Sequence, residues 1–290
     1  MPKNKHSKTR AQIKAEKEKR KGITLFLAIV LLGISILTYF AYTLVTNPSK
    51  PSLIEPDWQL NPGAKFKAAI IDHLSLTFPN QTFVKETANL LVNANYTVDY
   101  FSGEKVRVEL YRNLPWYGYS LIILRVHSSA TLAQGTEGPL ALYTSEPYDK
   151  TKYSYEQLTD QLGIAAYSPE DLEKGIMYFE ITPLFITRSM KGTFDNTIII
   201  MMGCEGLKNT SMAEAFIQKG AKACIGWDKG VAASRTDTAT TRLLHYLTIE
   251  KQTIRQAVEN TMKEVGPDSD NSFLLYYPAE AGKEKVETIS

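Results

Sequence analysis

Cysteine and histidine are scarce in this chain: two Cys and four His in 290 residues. A zinc site needs three or four clustered thiolate or imidazole ligands. Two scattered cysteines, Cys204 and Cys224, with so few histidines do not supply one. No acidic loop has EF-hand spacing, and no internal repeat is visible. The window around Cys204 lacks the first glycine of a nucleophile elbow. Positive charge is not in excess: Lys+Arg 33 against Asp+Glu 31, a formal net charge of +2. That excludes the basic footprint of a nucleic-acid binder over the whole chain. No cofactor is implied.

Charge is nevertheless uneven. Residues 1–22 hold nine Lys/Arg and two Glu, which leaves 24 basic against 29 acidic residues in the remainder. Residues 22–46 then carry no charge at all. Such a run is long enough to cross a bilayer, which takes about 20 apolar residues. Tyr39 and Tyr42 sit toward its far end, where an interfacial aromatic belt is expected. A cleaved signal peptide would have a shorter apolar core and a small-x-small cleavage site. The expectation is therefore a single uncleaved transmembrane helix over 23–46. It places the basic tail, 1–22, in the cytoplasm and the rest of the chain outside the cell membrane. The tail serves as an orientation signal; binding of anionic lipid is its second reading.

Residues 47–66, with Pro48, Pro51, Pro56 and Pro62, read as a semi-rigid linker. From 67 to 280 strand and helix patterns alternate, and 281–290 reads as a flexible tail. Strands are expected at 68–73, 97–101, 121–126, 197–202, 222–227 and 272–277. Helices are expected at 80–93, 106–114, 236–247 and 252–264, with another opened by Ser211-Met-Ala-Glu214 at capping-box spacing. Residues 139–187 look like an insertion, with a strand at 140–144, a helix near 155–162 and an extended run at 176–187. Alternation of this kind implies an α/β fold, a mostly parallel sheet covered on both faces.

Two strands end on reactive side chains: Leu121-Ile122-Ile123-Leu124-Arg125-Val126-His127-Ser128 and Thr197-Ile198-Ile199-Ile200-Met201-Met202-Gly203-Cys204-Glu205-Gly206. Sites in open parallel sheets form at the carboxyl edge. A His and a Cys delivered there by neighbouring strands would make a base and a nucleophile. A buried cysteine also serves as a small hydrophobe, and a strand-end histidine as a hydrogen-bonded structural group, so both readings stand. His73 ends its own strand beside Asp72, and the two are candidate supports for the base. His245 is the alternative base, with Asp228 or Asp237, in a thiol hydrolase of the other chain order. Cys204 and Cys224 do not align on parallel neighbours, so no disulfide is expected. Glu205 and Asp228 lie near the sheet edge, where an acidic pocket would favour a basic substrate side chain. Sequons at Asn80, Asn95 and Asn209 fall at element ends, where a glycan could sit.

A strand ending in His, followed later by one ending in Cys, resembles the caspase-like cysteine peptidases, and most closely the gingipain-type and CHAT-type members. CHAT-type strands often end Ala-Cys-Glu-Thr-Gly, and here the residues are Gly203-Cys204-Glu205-Gly206. The stretches Met212-Ala-Glu-Ala-Phe216, Gly220-Ala-Lys-Ala-Cys-Ile225 and Thr236-Asp237-Thr-Ala continue the likeness. The resemblance implies a three-layer sandwich and a peptidase acting on a protein or peptide. In it Cys204 attacks the scissile carbonyl and His127 handles protons. It also implies that backbone near Ser128 and Gly203 holds the oxyanion. Ser128 stands where the family usually has Gly, and Gly203 where it often has Ala. A catalytically silent surface module that binds a protein partner is the competing reading.

Overall fold

The computed structural model describes Lys17 and residues 30–38, 53–133 and 136–287. Residues 30–38 are helical and exposed. No helix among the described residues is long and apolar enough to cross a membrane, and most of the expected span at 23–46 lies outside them. The chain divides into two units, 1–52 and 53–290. The second unit holds both sheets and every candidate site residue.

Its strands are β1 (Trp58–Leu60), β2 (Phe66–Asp72), β3 (Tyr96–Ser102), β4 (Leu121–Arg125), β5 (Ser128–Ala133), β6 (Thr136–Pro147), β7 (Leu162–Ala165), β8 (Tyr178–Ile181), β9 (Ile198–Met201), β10 (Ala223–Trp227) and β11 (Leu274–Tyr277). The helices are α1 (Gln81–Asn93), α2 (Val108–Asn113), α3 (Ser154–Leu158), α4 (Pro169–Glu173), α5 (Pro183–Arg188), α6 (Ser211–Gln218), α7 (Ala233–Leu244) and α8 (Ile254–Val265). The central sheet runs β1-β3-β2-β4-β9-β10-β11. Its five inner strands are parallel, and β1 and β11 close the edges antiparallel.

The inner strands are near-continuous apolar runs because both faces are covered. Ala69, Ile71, Ile122, Leu124, Ile199, Met201 and Cys224 point to one face, against residues of α2, α5 and α6. Ala68, Ile70, Leu121, Ile123, Ile198, Ile200, Ile225 and Trp227 point to the other, against α1, α7 and α8. That is a three-layer helix–sheet–helix sandwich, as the alternating pattern implies.

The segment expected as an insertion joins the preceding β5 in a second, antiparallel sheet, β5-β6-β8-β7. It packs Leu140, Leu142, Phe179 and Ile181 into the same core as α2 and α5. Within it, the expected helix near 155–162 shortens to α3. The expected extended run at 176–187 divides into β8 and α5, with Pro183 at the helix start, where its fixed φ and missing N–H are tolerated.

Three boundary expectations are corrected. The Pro-rich stretch is not a linker as far as 66. Trp58–Leu60 pairs with β3, Trp58 stacks on Tyr100 at 4.9 Å, and Asp57 accepts the Ser102 N–H at 2.7 Å. The C-terminal stretch is docked as far as Glu287: Val286 is buried, Lys222 pairs with Glu284 at 2.9 Å, and Tyr96 donates to the Glu287 carbonyl at 2.5 Å. The capping box at Ser211 does not form. Thr210 is the N-cap and its hydroxyl donates to Glu214 at 2.6 Å, while Ser211 turns back to Asn209. The capping box that does form, at Thr253 and Gln256, opens α8.

Candidate active site

β4 and β9 are hydrogen-bonded parallel neighbours, with Leu124 opposite Met201. Their ends therefore deliver Val126-His127 and Met202-Gly203-Cys204 to the same sheet edge. One cavity of about 360 Å³ is lined by both His127 and Cys204, together with Leu74, Phe78, Val126, Met202, Gly203, Val231, Ala232, Ala233 and Thr236. Four separate segments supply those walls.

Each member of the pair is held by a partner of its own. The His127 Nε2 pairs with the Thr77 hydroxyl at 3.0 Å. The half-buried Cys204 Sγ receives the Val231 N–H at 3.5 Å and lies 3.6 Å from the Val231 carbonyl. Burial, and then the Arg125 charge, push the His127 imidazole below its ordinary range, so it is neutral near pH 7 and able to accept a proton. His73 lies edge-on to His127, ring centres 5.6 Å apart. Burial, then His127, lower it to about 3. The Thr144 backbone is near enough to act on His73, but both ring nitrogens lie outside hydrogen-bond geometry, and the Thr144 carbonyl is taken by the Tyr167 hydroxyl at 2.7 Å.

Gly203 is sterically required. A Cβ there would meet the Val126 carbonyl oxygen at 2.4 Å and the Ser128 Oγ at 2.2 Å. Ser128 in turn donates to the Cys204 carbonyl at 2.6 Å. The space at 203 is filled by the hydroxyl at 128, which ties the two strand ends together. Glu205, at φ 61, accepts the Ala130 N–H at 3.3 Å and pairs with Lys208 at 2.8 Å. Asp228 caps β11 through the Phe273 N–H at 2.7 Å. Neither lines the cavity, so the expected acidic pocket is not assembled by these two residues. His245 is half exposed, pairs with Glu250 at 3.2 Å, and lies nine residues, roughly 13 Å, along its helix from Thr236. It is not among the cavity residues.

Beneath the cavity lies a group that the sequence reading missed. Arg125, fully buried, donates to Asp237 at 2.7 and 2.9 Å, to Asp72 at 2.7 Å and to the Phe78 carbonyl at 2.8 Å. Burial alone would lower it, but the two aspartates outweigh that and raise it. Asp72 also accepts from Tyr100 at 3.1 Å, and Asp237 from Asn80 at 2.9 Å. Asp72 is engaged with Arg125 and not with His73. The sequence signal for it was a lone charge closing an otherwise apolar strand.

Asn80 spends its Nδ2 on Asp237 and its Oδ1 on the N-cap of α1, so a glycan on Nδ2 would compete with the Asp237 contact. Asn95 sits in the turn before β3 at φ 66, and the hydroxyl of its sequon partner Thr97 is spent on the Asn61 carbonyl. Asn209 is half-buried and accepts from Ser211. Both cysteines are free. Among the described residues no cluster of three or more His, Cys, Asp or Glu is arranged to hold a metal ion.

The small sheet adds one buried acid beside the site. Glu180 stands opposite Tyr143, whose ring lies 5.9 Å from that of His127, and opposite Gly163. Burial raises its carboxyl to about 7. The folded-state value lies above the unfolded one, so the group's contribution to stability is complete below about pH 4.5 and is lost as pH rises through about 7. The difference is worth about 3 kcal/mol at alkaline pH. Urea unfolding of Glu180→Gln and wild type at pH 5 and pH 8.5 checks this. The variant is expected to gain about that much over wild type at pH 8.5 and little at pH 5; equal differences at both pH values would contradict it.

No family model and no curated protein matches the chain. Among solved structures, the Drosophila initiator caspase Dronc is similar over 76% of this chain and 80% of its own, at 8% identity and a TM-score of 0.34.

Proposed function

We propose that this chain is a caspase-like cysteine peptidase, with Cys204 as nucleophile and His127 as general base, anchored in the cell membrane through residues 23–46 with its folded domain outside. The observation that carries the catalytic reading is the single cavity lined by both side chains at the carboxyl ends of adjacent parallel strands. The charge-free run after the basic tail supports the anchor.

In this reading the neutral His127 takes the Sγ proton, and the thiolate forms a bond to the scissile carbonyl carbon. Backbone N–H groups near Ser128 and Gly203 receive the oxyanion. On collapse the C–N bond breaks and His127 returns the proton to the leaving amine. Water, deprotonated by His127, then releases the acid and regenerates the thiol. In this state His127 and Cys204 are not hydrogen-bonded to each other: Thr77 holds the His127 Nε2 and Val231 holds Sγ. That separation is also what favours the second reading, a catalytically silent module that binds a protein partner.

A thiol-directed electrophile distinguishes them. Iodoacetamide should alkylate Cys204 in the wild type. Labelling should vanish in Cys204→Ala and slow by about 100-fold or more in His127→Ala, the low end of what a general base contributes. Rates unaffected by His127→Ala would favour the silent module.

A further inference from the structure

The cavity beside the dyad also carries information about the substrate. Apart from His127 and Cys204, its walls are Leu74, Phe78, Val126, Met202, Gly203, Val231, Ala232, Ala233 and Thr236. Among the described residues no Lys, Arg, Asp or Glu lines it. Resting on the peptidase reading, we infer that the subsite beside Cys204 takes an uncharged, apolar substrate side chain, in the P1 position next to the scissile bond.

The charged groups nearby are already matched. Arg125 lies just behind the wall, one residue before Val126, but it is fully buried and its donors are committed to Asp72, Asp237 and the Phe78 carbonyl. An acidic side chain entering the cavity would find no free cation. Asp237 is satisfied by Arg125 and Asn80. Glu205 and Asp228 are tied to backbone N–H groups outside the cavity. Asp268, beyond the 231–233 wall, spends its carboxylate on the Ala232 and Ser269 N–H groups, both at 2.7 Å. A basic side chain would likewise find no carboxylate in the cavity wall among the described residues.

The one hydroxyl in the wall is committed as well. Thr236 Oγ1 donates to the Met202 carbonyl and accepts from Trp227 Nε1, both at 2.9 Å. A charged side chain would therefore lose water and gain no partner, whereas an apolar one loses nothing polar. This is opposite to the expectation of an acidic pocket.

Peptidyl acyloxymethyl ketones that differ only at P1 test the inference. In labelling, Sγ bonds to the probe's methylene carbon and the carboxylate leaves with the electron pair. With the wild-type 53–290 domain in its full chain, the Leu probe should label Cys204 about 100-fold faster than the Lys or Asp probe, the scale set by burying an unpaired polar group. Ala233→Asp puts a carboxylate in the wall at the first turn of α7, where an acid suits the helix end. It should raise the Lys probe at least tenfold over its wild-type rate while slowing the Asp probe. A wild-type Lys or Asp probe reacting as fast as Leu would overturn the inference. So would a Cys204 that iodoacetamide alkylates in a His127-dependent way but that no peptidyl probe reaches. If iodoacetamide labelling shows no dependence on His127, the peptidase reading falls first and takes this one with it.

Discussion

Arg125→Met should cost the folded domain about 3–5 kcal/mol, the range for removing one partner of a buried ion pair. The loss has two parts. Asp72 and Asp237 would be left buried, facing each other without the cation that both contact at 2.7 Å. The Phe78 carbonyl would lose its donor, freeing the loop that carries Thr77 to His127 and Leu74 and Phe78 to the cavity. Chemical denaturation measures the first part, and the Cys204 alkylation rate in whatever remains folded measures the second. The triple variant Arg125→Met, Asp72→Asn, Asp237→Asn keeps the prediction open to failure if the single one does not fold. Neutralising both acids should recover more than half of the lost stability, because the penalty lies in uncompensated charge and not in the absence of the pair itself. If the triple variant is as unstable as the single one, the network matters through packing, including the Arg125 cation over the Phe83 ring at 5.5 Å.

Gly203→Ala is the second large effect. The added methyl would sit 2.4 Å from the Val126 carbonyl oxygen and 2.2 Å from Ser128 Oγ, so the β9 end must move away from the β4 end. Overpacking of this kind costs about 1–3 kcal/mol. The functional loss should be larger, about 100-fold in labelling by the Leu probe, because the movement separates Cys204 from His127. Adding Ser128→Gly removes one obstacle and leaves the other, which is backbone. The double variant should therefore recover less than half of the lost rate on a logarithmic scale. Full recovery would mean that only the hydroxyl matters, and that Gly203 and Ser128 are a simple exchange of bulk between two positions.

Much of the architecture was legible in the chain itself. The runs at 68–73, 121–126 and 197–202 are apolar on both faces, which marks inner strands of a covered parallel sheet, and they became β2, β4 and β9. The edges were less legible. Trp58–Leu60 was hidden in a Pro-rich stretch because a three-residue strand has no usable periodicity, and its evidence is the stack on Tyr100 far along the chain. The second sheet was seen only as an insertion, since β7 and β8 are four residues each. His127 and Cys204 were singled out from where their strands stop, and one cavity is lined by both. Glu205 and Asp228 were offered as pocket acids for the same reason, but hydrogen bonds to Ala130 and Phe273 turn them to other uses. Proximity to a sheet edge does not set the direction of a side chain.

What the sequence by itself determined is therefore local: which runs become strands, where each stops, and which reactive residue comes next. Burial of apolar residues at period two or in continuous runs is written in neighbouring positions, so it can be read there. The tertiary structure decided everything that depends on partners distant in the chain. Arg125 meets Asp237 across 112 residues, Thr77 meets His127 across 50, Val231 meets Cys204 across 27, and four segments close one apolar cavity. A buried charge must be matched wherever the folded backbone brings a counter-charge within reach. Strand order set Asp72 beside Arg125 and the packing of α7 brought Asp237 to them, and the wall beside Cys204 carries no charged side chain among the described residues.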